Sequence, residues 1–455
     1  MTSRRLTALA GTALLVGSGG ASAQELGTQT NFSIASDIEY NDNLDLSQDE
    51  RSGLIWNNIF SYGLFSRTTV DTFSFDARAN ARVIDGENQT TETDADDIQT
   101  GFAFARVVND TRLSFDARYR RNRLDLFNPL EDLDNDGTFD DTAAAGLRES
   151  LRSGLDVALN TDGPISFLGS ADYSRIRFSD VETTDPDDFD DRDRAEAAGE
   201  LVFRVSPIVD LTTGVRYGED IFESGDTDRR VLRGDVGTNL RINPRVTARA
   251  RLGFSEVDTV RRGVEERETG AVGSVDFVID QPLGETRFGT NVDLDENGQR
   301  FNVEVGRTLE TDSTNLDADI GLSTSDETDV NVIGRVAFAY VQQRSEFGVS
   351  LRQTATVDDD GDNTINTFAG VSFVQNLTRR SSVSFGLNGG LRRNLDDDDD
   401  RTERADFTAQ YNQSLTPDWS WNVGYRGRFE RDDDDDARTS NAVFLGVRRD
   451  FFSTR

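Results

Sequence analysis

Residues 73–83 read FSFDARANARV, with an apolar side chain at every odd position and a polar one at every even position. Successive side chains of a β-strand point to opposite faces, so this alternation gives a strand one apolar and one polar face. A helix with the same sequence would carry Asp76, Arg78 and Arg82 around its surface. The segment therefore predicts a half-buried β-strand.

The same alternation recurs along the chain. The motif SFDAR occurs at 74–78 and again at 114–118, an interval that suits two strands and two connections. Further alternating segments lie at 209–217, 246–254 and 419–429. Repeated segments of this period, bounded by turn residues, predict an all-β protein.

The composition excludes several kinds of site. The 455 residues include 84 Asp and Glu, 49 Lys and Arg, no Cys and no His, with a formal charge of -35. Zinc sites, thiol enzymes and Ser-His-Asp triads need Cys or His. We therefore expect no enzymatic activity and no required cofactor. Nucleic acid is not among the expected partners.

A membrane-spanning helix needs about 18 or more consecutive apolar residues, and beyond the N-terminus the chain has no such run. A transmembrane β-barrel needs only alternate apolar residues, so a hydrophobic content of 35% is compatible with it. High charge with low hydrophobicity also fits disorder. The 29 Phe, the 7 Pro and the regular phase of the aromatic residues favour folded strands.

Residues 1–23 are expected to be a signal peptide. Arg4 and Arg5 precede a short apolar core at 6–16, and residues 21–23 read ASA, a cleavage site of small residues. The core is too short to span a bilayer as a helix. We expect export, cleavage before Gln24 and a mature barrel of residues 24–455.

Short turns and longer acidic loops are expected to alternate. The short turns are expected near residues 66–68, 109–111, 161–164, 206–207, 243–244, 281–284, 377–379 and 415–417. The longer loops are expected at 42–52, 85–97, 125–144, 179–192, 220–227, 257–267, 358–363, 395–400 and 431–437. This layout predicts an all-β, antiparallel transmembrane β-barrel of about 22 strands, within a range of about 18 to 24, with short periplasmic turns and longer acidic extracellular loops.

The polar faces are rich in Arg, Asp, Asn and Gly, which suits a wet lumen, and closure avoids unpaired strand edges in lipid. We therefore place the protein in the outer membrane of a Gram-negative bacterium. The alternative is a soluble β-protein or β-solenoid with its apolar faces inward. No separate plug domain is expected, because the first strand begins almost at the mature N-terminus.

The last segment and the first loop carry two resemblances. Residues 438–451 form an apolar final strand that resembles the recognition signal of the barrel-assembly machinery, although residues 453–455 extend beyond the usual terminal Phe. Residues 39–44, EYNDNL, resemble the opening motif of outer-membrane proteins of the "β-barrel porin 2" type. That resemblance implies a porin-like role or a link with exopolysaccharide and capsule systems, which would involve periplasmic export partners.

The segment 132–140, DLDNDGTFD, matches the first half of a calcium-binding loop. Its candidate ligands are Asp132, Asp134, Asp136, Thr138 and Asp140. Position 12 of the loop is Ala143 where Glu is usual. The alternative is an acidic surface loop that collects divalent ions loosely. Such ions could also bridge the Asp runs at 396–400 and 432–436 to lipopolysaccharide phosphates.

Ten arginines are expected on the lumenal face, where charged side chains set pore selectivity. They are Arg78, Arg82, Arg112, Arg118, Arg120, Arg216, Arg249, Arg251, Arg426 and Arg428. The functional hypothesis is an anion-favouring or sugar-guiding passage. The structural alternative, which we favour here, is cross-strand pairing with acids such as Asp76 and Asp116 that stiffens the wall.

Three functions remain open from the sequence. The favoured one is porin-like passage of polar solutes across the outer membrane, with outer-membrane lipid and lipopolysaccharide as the surroundings. The second is a polysaccharide-export or secretion-associated barrel. The third is a non-conducting, calcium-dependent surface protein.

Overall fold

The computed structural model describes residues 27–48, 50–86, 91–124, 130, 145–182, 189, 191–222, 227–261, 263–326, 328–357, 363–395, 401–432 and 437–454. These residues form 22 β-strands. No helix in this part of the chain is long and apolar enough to cross a membrane. The strands are β1 Gly27–Asn41, β2 Gly53–Arg67, β3 Asp71–Gly86, β4 Glu92–Val108, β5 Thr111–Arg123, β6 Ala145–Leu159, β7 Ile165–Glu182, β8 Arg192–Ser206, β9 Val209–Phe222, β10 Thr227–Asn243, β11 Val246–Arg261, β12 Val264–Gln281, β13 Gly284–Asp295, β14 Gly298–Glu310, β15 Thr314–Ser325, β16 Asn331–Val341, β17 Ser345–Val357, β18 Asn363–Asn376, β19 Ser381–Asn394, β20 Arg401–Ser414, β21 Trp419–Asp432 and β22 Arg438–Thr454.

The sheet closes on itself. Each strand pairs antiparallel with its neighbours in sequence, and β1 also pairs antiparallel with β22, from Gln29 opposite Thr454 to Asn41 opposite Ala442. Closure leaves the wall without a free first or last edge, which is what a lipid environment requires. The predicted antiparallel barrel of 22 strands is confirmed.

The outer face carries the apolar half of the alternation. In β2, Trp56, Phe60 and Tyr62 are exposed on the face opposite Asn57. Neighbouring outward rings contact each other, as in the edge-to-face pair of Phe73 with Phe102 at a centroid distance of 5.3 Å. Such an apolar outer surface suits a hydrocarbon environment.

Buried apolar side chains form small clusters rather than one central core. One cluster joins Leu44, Ile55 and Ile84 at the end where β1, β2 and β3 meet the long loops. Another joins residues of β11, β12 and β13. The lumen is therefore lined mainly by polar side chains, and its apolar contacts lie near the extracellular rim.

The eight predicted short turns lie at one end of the barrel, and two further turns at 311–313 and 342–344 complete that end. At the extracellular end, the connections at 296–297 and 326–330 were missed by the sequence analysis. The predicted loop at 257–267 is wrong in extent, because β11 continues to Arg261 and β12 starts at Val264. The segment is highly charged but still β-paired, from Val257 opposite Glu268 to Arg261 opposite Val264.

The two ends of the barrel differ in charge. The connections between strands at the extracellular end contain 36 of the 84 acidic residues of the chain but only two arginines, Arg51 and Arg262. The periplasmic turns contain four acidic residues and four arginines. The extracellular mouth is therefore strongly acidic, whereas the periplasmic turns are neutral overall.

Candidate functional site

Ion pairs that pass over intervening strands identify the lumenal face. Arg251 on β11 reaches Glu200 on β8 at 2.5 Å, and Arg233 on β10 reaches Asp293 on β13 at 3.1 Å. Neighbouring strands lie about 4.8 Å apart, so partners three strands apart meet only where the wall curves towards them. The charged face of each strand therefore points into the lumen.

All ten predicted lumenal arginines lie on this inner face, as the register shows. Arg78 shares its face with Asp76, opposite the outward Phe75, and Arg118 lies two residues from Arg120 on β5. Arg249 and Arg251 lie on β11, and Arg426 and Arg428 on β21. The placement follows from the alternation, because side-chain direction is fixed by the local backbone.

Part of the inner face carries exposed charges without partners. The side chains of Arg78, Arg112 and Arg118 make no hydrogen bond or ion pair within the described residues, and all three are exposed. Asp76 and Asp116, on the same strands, are exposed as well. An unpaired charge at membrane depth is stable only where water solvates it. These side chains therefore require a wet lumen beside β3 and β5.

Other inner-face arginines are paired. Arg82 contacts Asp94 at 3.2 Å and Asp97 at 2.9 Å, and its side chain is largely buried. Arg216 pairs with Glu196 at 3.2 Å, and Arg426 with Glu39 at 3.3 Å.

The acids that pair with these arginines are not the two examples that the sequence suggested. Within the described residues, Asp76 and Asp116 form no ion pair with arginine, and the acids that do lie elsewhere on the wall. Asp76 lies opposite Gly63 and Gly101, and Asp116 lies opposite Ala103 and Gly154, so neither has an arginine directly across from it. Sequence alternation does not reveal this register.

A group of acids on the inner face was not predicted from the sequence. Asp116 on β5 and Asp172 on β7 lie on either side of Gly154 on β6. A Cβ at Gly154 would lie 3.1 Å from Asp116 Oδ1 and 3.2 Å from Asp172 Oδ1. Glu196 on β8 is the next residue in the same row. The polar phase of each strand contained these acids, but only the register brings them together.

The hairpin of β13 and β14 leans into the extracellular end of the lumen. Its pairing with β12 stops at Gly273 opposite Val292, although β12 continues to Val264. Beyond that point Leu294 packs against the inward side chains of Val257 and Val272. The hairpin therefore narrows the lumen beside β11 and β12.

Polar contacts hold the tip of this hairpin. Glu296 lies 3.0 Å from the guanidinium of Arg229, and burial raises the pKa of the Glu296 carboxyl above its usual value. On the other side, Arg300 pairs with Asp295 at 3.2 Å and donates to Asn363 Oδ1 at 3.1 Å. Asn363 belongs to β18, so these contacts join the hairpin to a distant part of the wall.

The motif at 39–44 lies at the closure between β1 and β22. Asn43 is fully buried and its side-chain amide donates to the carbonyl oxygens of Ser47 and Thr439, at 2.8 and 2.9 Å. Asn41 Oδ1 accepts from the backbone N–H of Asn43 and from the Ser440 hydroxyl, both at 2.9 Å. The motif thus fastens the extracellular end of the first strand to the last.

The candidate calcium ligands at 132–140 lie outside the described residues. Within the described part of the chain, no group of three or more acidic residues is arranged to hold a metal ion. Calcium binding by that loop stays a prediction.

Comparison with known proteins shows the fold. No family model and no curated protein matches the chain, so the "porin 2" resemblance is not confirmed. Among solved structures, the ferric-catecholate import receptor Fiu from E. coli K12 matches with a TM-score of 0.57 at 9% identity, covering 94% of this chain and 82% of that one. The FrpB iron transporter from Neisseria meningitidis matches with a TM-score of 0.55 at 10% identity, covering 94% of this chain and 83% of that one. The copper transporter OprC matches with a TM-score of 0.52 at 10% identity, covering 94% of this chain and 80% of that one.

The chain has the fold of an outer-membrane β-barrel. The similar structures are receptors and transporters by their names, and at this level of identity the likeness extends to the barrel alone.

Proposed function

We propose that this barrel passes polar solutes across the outer membrane. The observation that carries the proposal is the set of exposed, unpaired charges on the inner face, represented by Arg78 and Arg118. These side chains need water at the depth of the membrane. A water-filled lumen in a closed barrel is a route for small hydrophilic molecules.

The similar structures support transport without specifying the cargo. Their names describe import of a ferric catecholate and transport of iron or copper. From these proteins we transfer to this chain only the passage of a solute through the barrel, because the barrel wall is the feature that they share with it. The inward hairpin of β13 and β14 limits the size of the solute at the extracellular end.

Reconstitution tests the proposal directly. The purified full chain, folded as judged by heat-modifiable gel mobility, is placed in planar bilayers and in liposomes. We expect stepwise conductance in KCl and liposome swelling with small neutral sugars. A folded barrel that gives neither conductance at any voltage nor swelling would contradict passage and favour a non-conducting surface protein.

A pair of variants distinguishes the effect of a lumenal charge on ion selectivity from that of a charge on the outer face. Arg118→Gln removes an exposed inner charge, and we expect the reversal potential in a KCl gradient to shift towards cation selectivity. Arg106→Gln is the matched control, because Arg106 lies on the outer face of β4 and pairs with Asp71. Equal shifts in the two variants would show that the ions do not pass along the inner face.

A further inference from the structure

Three arginines surround a recess in the lumenal wall near the periplasmic mouth. The recess has a volume of about 480 Å³ and lies above the turn at 207–208, on β9, β10 and β11. Arg241, Arg249 and Arg251 line it, and Arg241 donates to the carbonyl oxygen of Pro207 at 3.4 Å. We call this cavity the β9–β11 recess.

The register explains why the three guanidinium groups converge. Arg249 lies opposite Asn239 on β10, and Asn239 lies opposite Asp210 on β9, so these residues form one row across the recess. Arg241 is in the neighbouring row on the periplasmic side, and Arg251 lies one row further from the periplasm. Three consecutive rows thus contribute one arginine each to the same cavity.

The Arg251–Glu200 ion pair closes the side of the recess that faces the membrane centre. Gly237 lies opposite Arg251, and Gly214 lies opposite Glu200, so glycine leaves room beside each of the two charged residues where the ion pair crosses β10 and β9. A Cβ on Gly237 would lie 2.9 Å from Cγ of Arg251, which shows how closely the arginine stem crosses β10. The Arg251–Glu200 ion pair and the hydrogen bond from Arg241 to Pro207 therefore bound the cavity on two sides.

The charge of the recess is opposite to that of the rest of the molecule. Its lining includes three arginines and one acid, Asp210, and with Arg251 paired to Glu200 the recess keeps a net positive charge, in a chain of formal charge -35. Guanidinium groups bind carboxylates and phosphates through paired N–H donors. The volume suits a small polar ligand and lies within the usual range of about 300–1,000 Å³ for binding pockets.

We infer that the β9–β11 recess binds an oxyanion, a carboxylate or a phosphate, carried by a polar solute at the periplasmic mouth. The inference rests on the proposed passage of solutes through the lumen and assigns it a binding step. A solute that arrives from the periplasm meets Arg241 and Arg249 first, and the neutral periplasmic turns do not repel its negative charge. The acidic extracellular mouth disfavours the same anion from the outside.

Direct binding to the full chain in detergent tests the inference. The probes are inorganic phosphate and glucuronate, with glucose as the uncharged comparison, measured by titration calorimetry. We expect saturable binding of both oxyanions and none of glucose. Arg241→Gln and Arg249→Gln should each weaken the affinity by about tenfold, since each removes a charged hydrogen-bond donor.

Arg448→Gln is the matched control, because Arg448 also lies on the inner face near the periplasmic end, but on β22, where it pairs with Asp450. It should bind like the unsubstituted protein, and heat-modifiable mobility verifies that each variant is folded. Absence of saturable oxyanion binding, or equal affinity in Arg249→Gln and Arg448→Gln, overturns the inference. Conductance without oxyanion binding would refute the binding step at the β9–β11 recess and leave the proposed passage of solutes intact. Oxyanion binding without conductance would refute the passage and leave the binding step intact.

Discussion

At the scale of single residues, Asn43 has the largest number of defined contacts in the motif at 39–44. Its side chain is fully buried and takes part in three hydrogen bonds, two of them to the loop residue Ser47 and one to Thr439 of the last strand. In the sequence, the motif is identifiable only by its resemblance to other barrels. The structure gives the motif a physical role, because an unpaired first or last edge would be costly in lipid.

We therefore predict that Asn43→Ala destabilises the barrel by about 2 kcal/mol, because it leaves buried backbone groups without partners. The midpoint of the heat-dependent gel-mobility shift measures this change. Asn315→Ala is the control, since the Asn315 side chain is exposed and makes no hydrogen bond within the described residues. A midpoint that moves equally in both variants would contradict a closing role for Asn43.

Gly284 provides a second test at this scale. It follows the turn at 282–283 with a φ of 135°, and a Cβ there would lie 2.2 Å from the carbonyl oxygen of Thr308. Gly284→Ala should therefore cost about 2 kcal/mol or more, through backbone strain and displacement of β14. Gly386→Ala is the comparison, because nothing lies within 4 Å of its added Cβ. Similar unfolding midpoints for the two variants would refute the close approach of Gly284 to the backbone of Thr308.

At the scale of elements, the β13–β14 hairpin is the part of the wall that departs from a regular barrel. It separates from β12 beyond Gly273 and carries Glu296 against Arg229. Burial raises the pKa of Glu296, so the folded hairpin favours the protonated carboxyl. The corresponding stabilisation is fully present below the unfolded pKa and is lost as the pH rises through the raised, folded pKa.

We expect the hairpin tip to become less mobile as the pH falls through the raised pKa of Glu296. A spin label on Asn297→Cys reports this mobility, and the absence of other cysteines makes the label specific. The same label combined with Glu296→Gln should show no such pH dependence. Mobility that changes with pH in both proteins would assign the effect to another group.

At the scale of the whole molecule, the difference in charge between the two mouths is the main property. The extracellular connections hold 36 acidic residues and two arginines, whereas the periplasmic turns are neutral. Such a field attracts cations to the outer mouth and is screened by salt over about 10 Å at 0.1 M.

Replacing the Asp runs at 396–400 and 432–436 with Asn should reduce cation selectivity, measured as the reversal potential in a KCl gradient. The effect should be largest at low ionic strength, because screening is weakest there. Asp312→Asn, in a periplasmic turn, is the control and should change the potential little. Selectivity that is insensitive to the Asp runs would place the selective region inside the lumen.

The sequence alone determined the alternation, a strand number of about 22 within a range of about 18 to 24, and the face of each lumenal arginine. It could do so because the direction of a strand side chain depends only on the local backbone, and because Pro, Asn and Gly mark the turns. The tertiary structure decided which acid meets each arginine, where the β9–β11 recess lies and how the β13–β14 hairpin leans inward. Those features depend on the stagger and curvature of strands that are distant in the chain, and no local pattern encodes them.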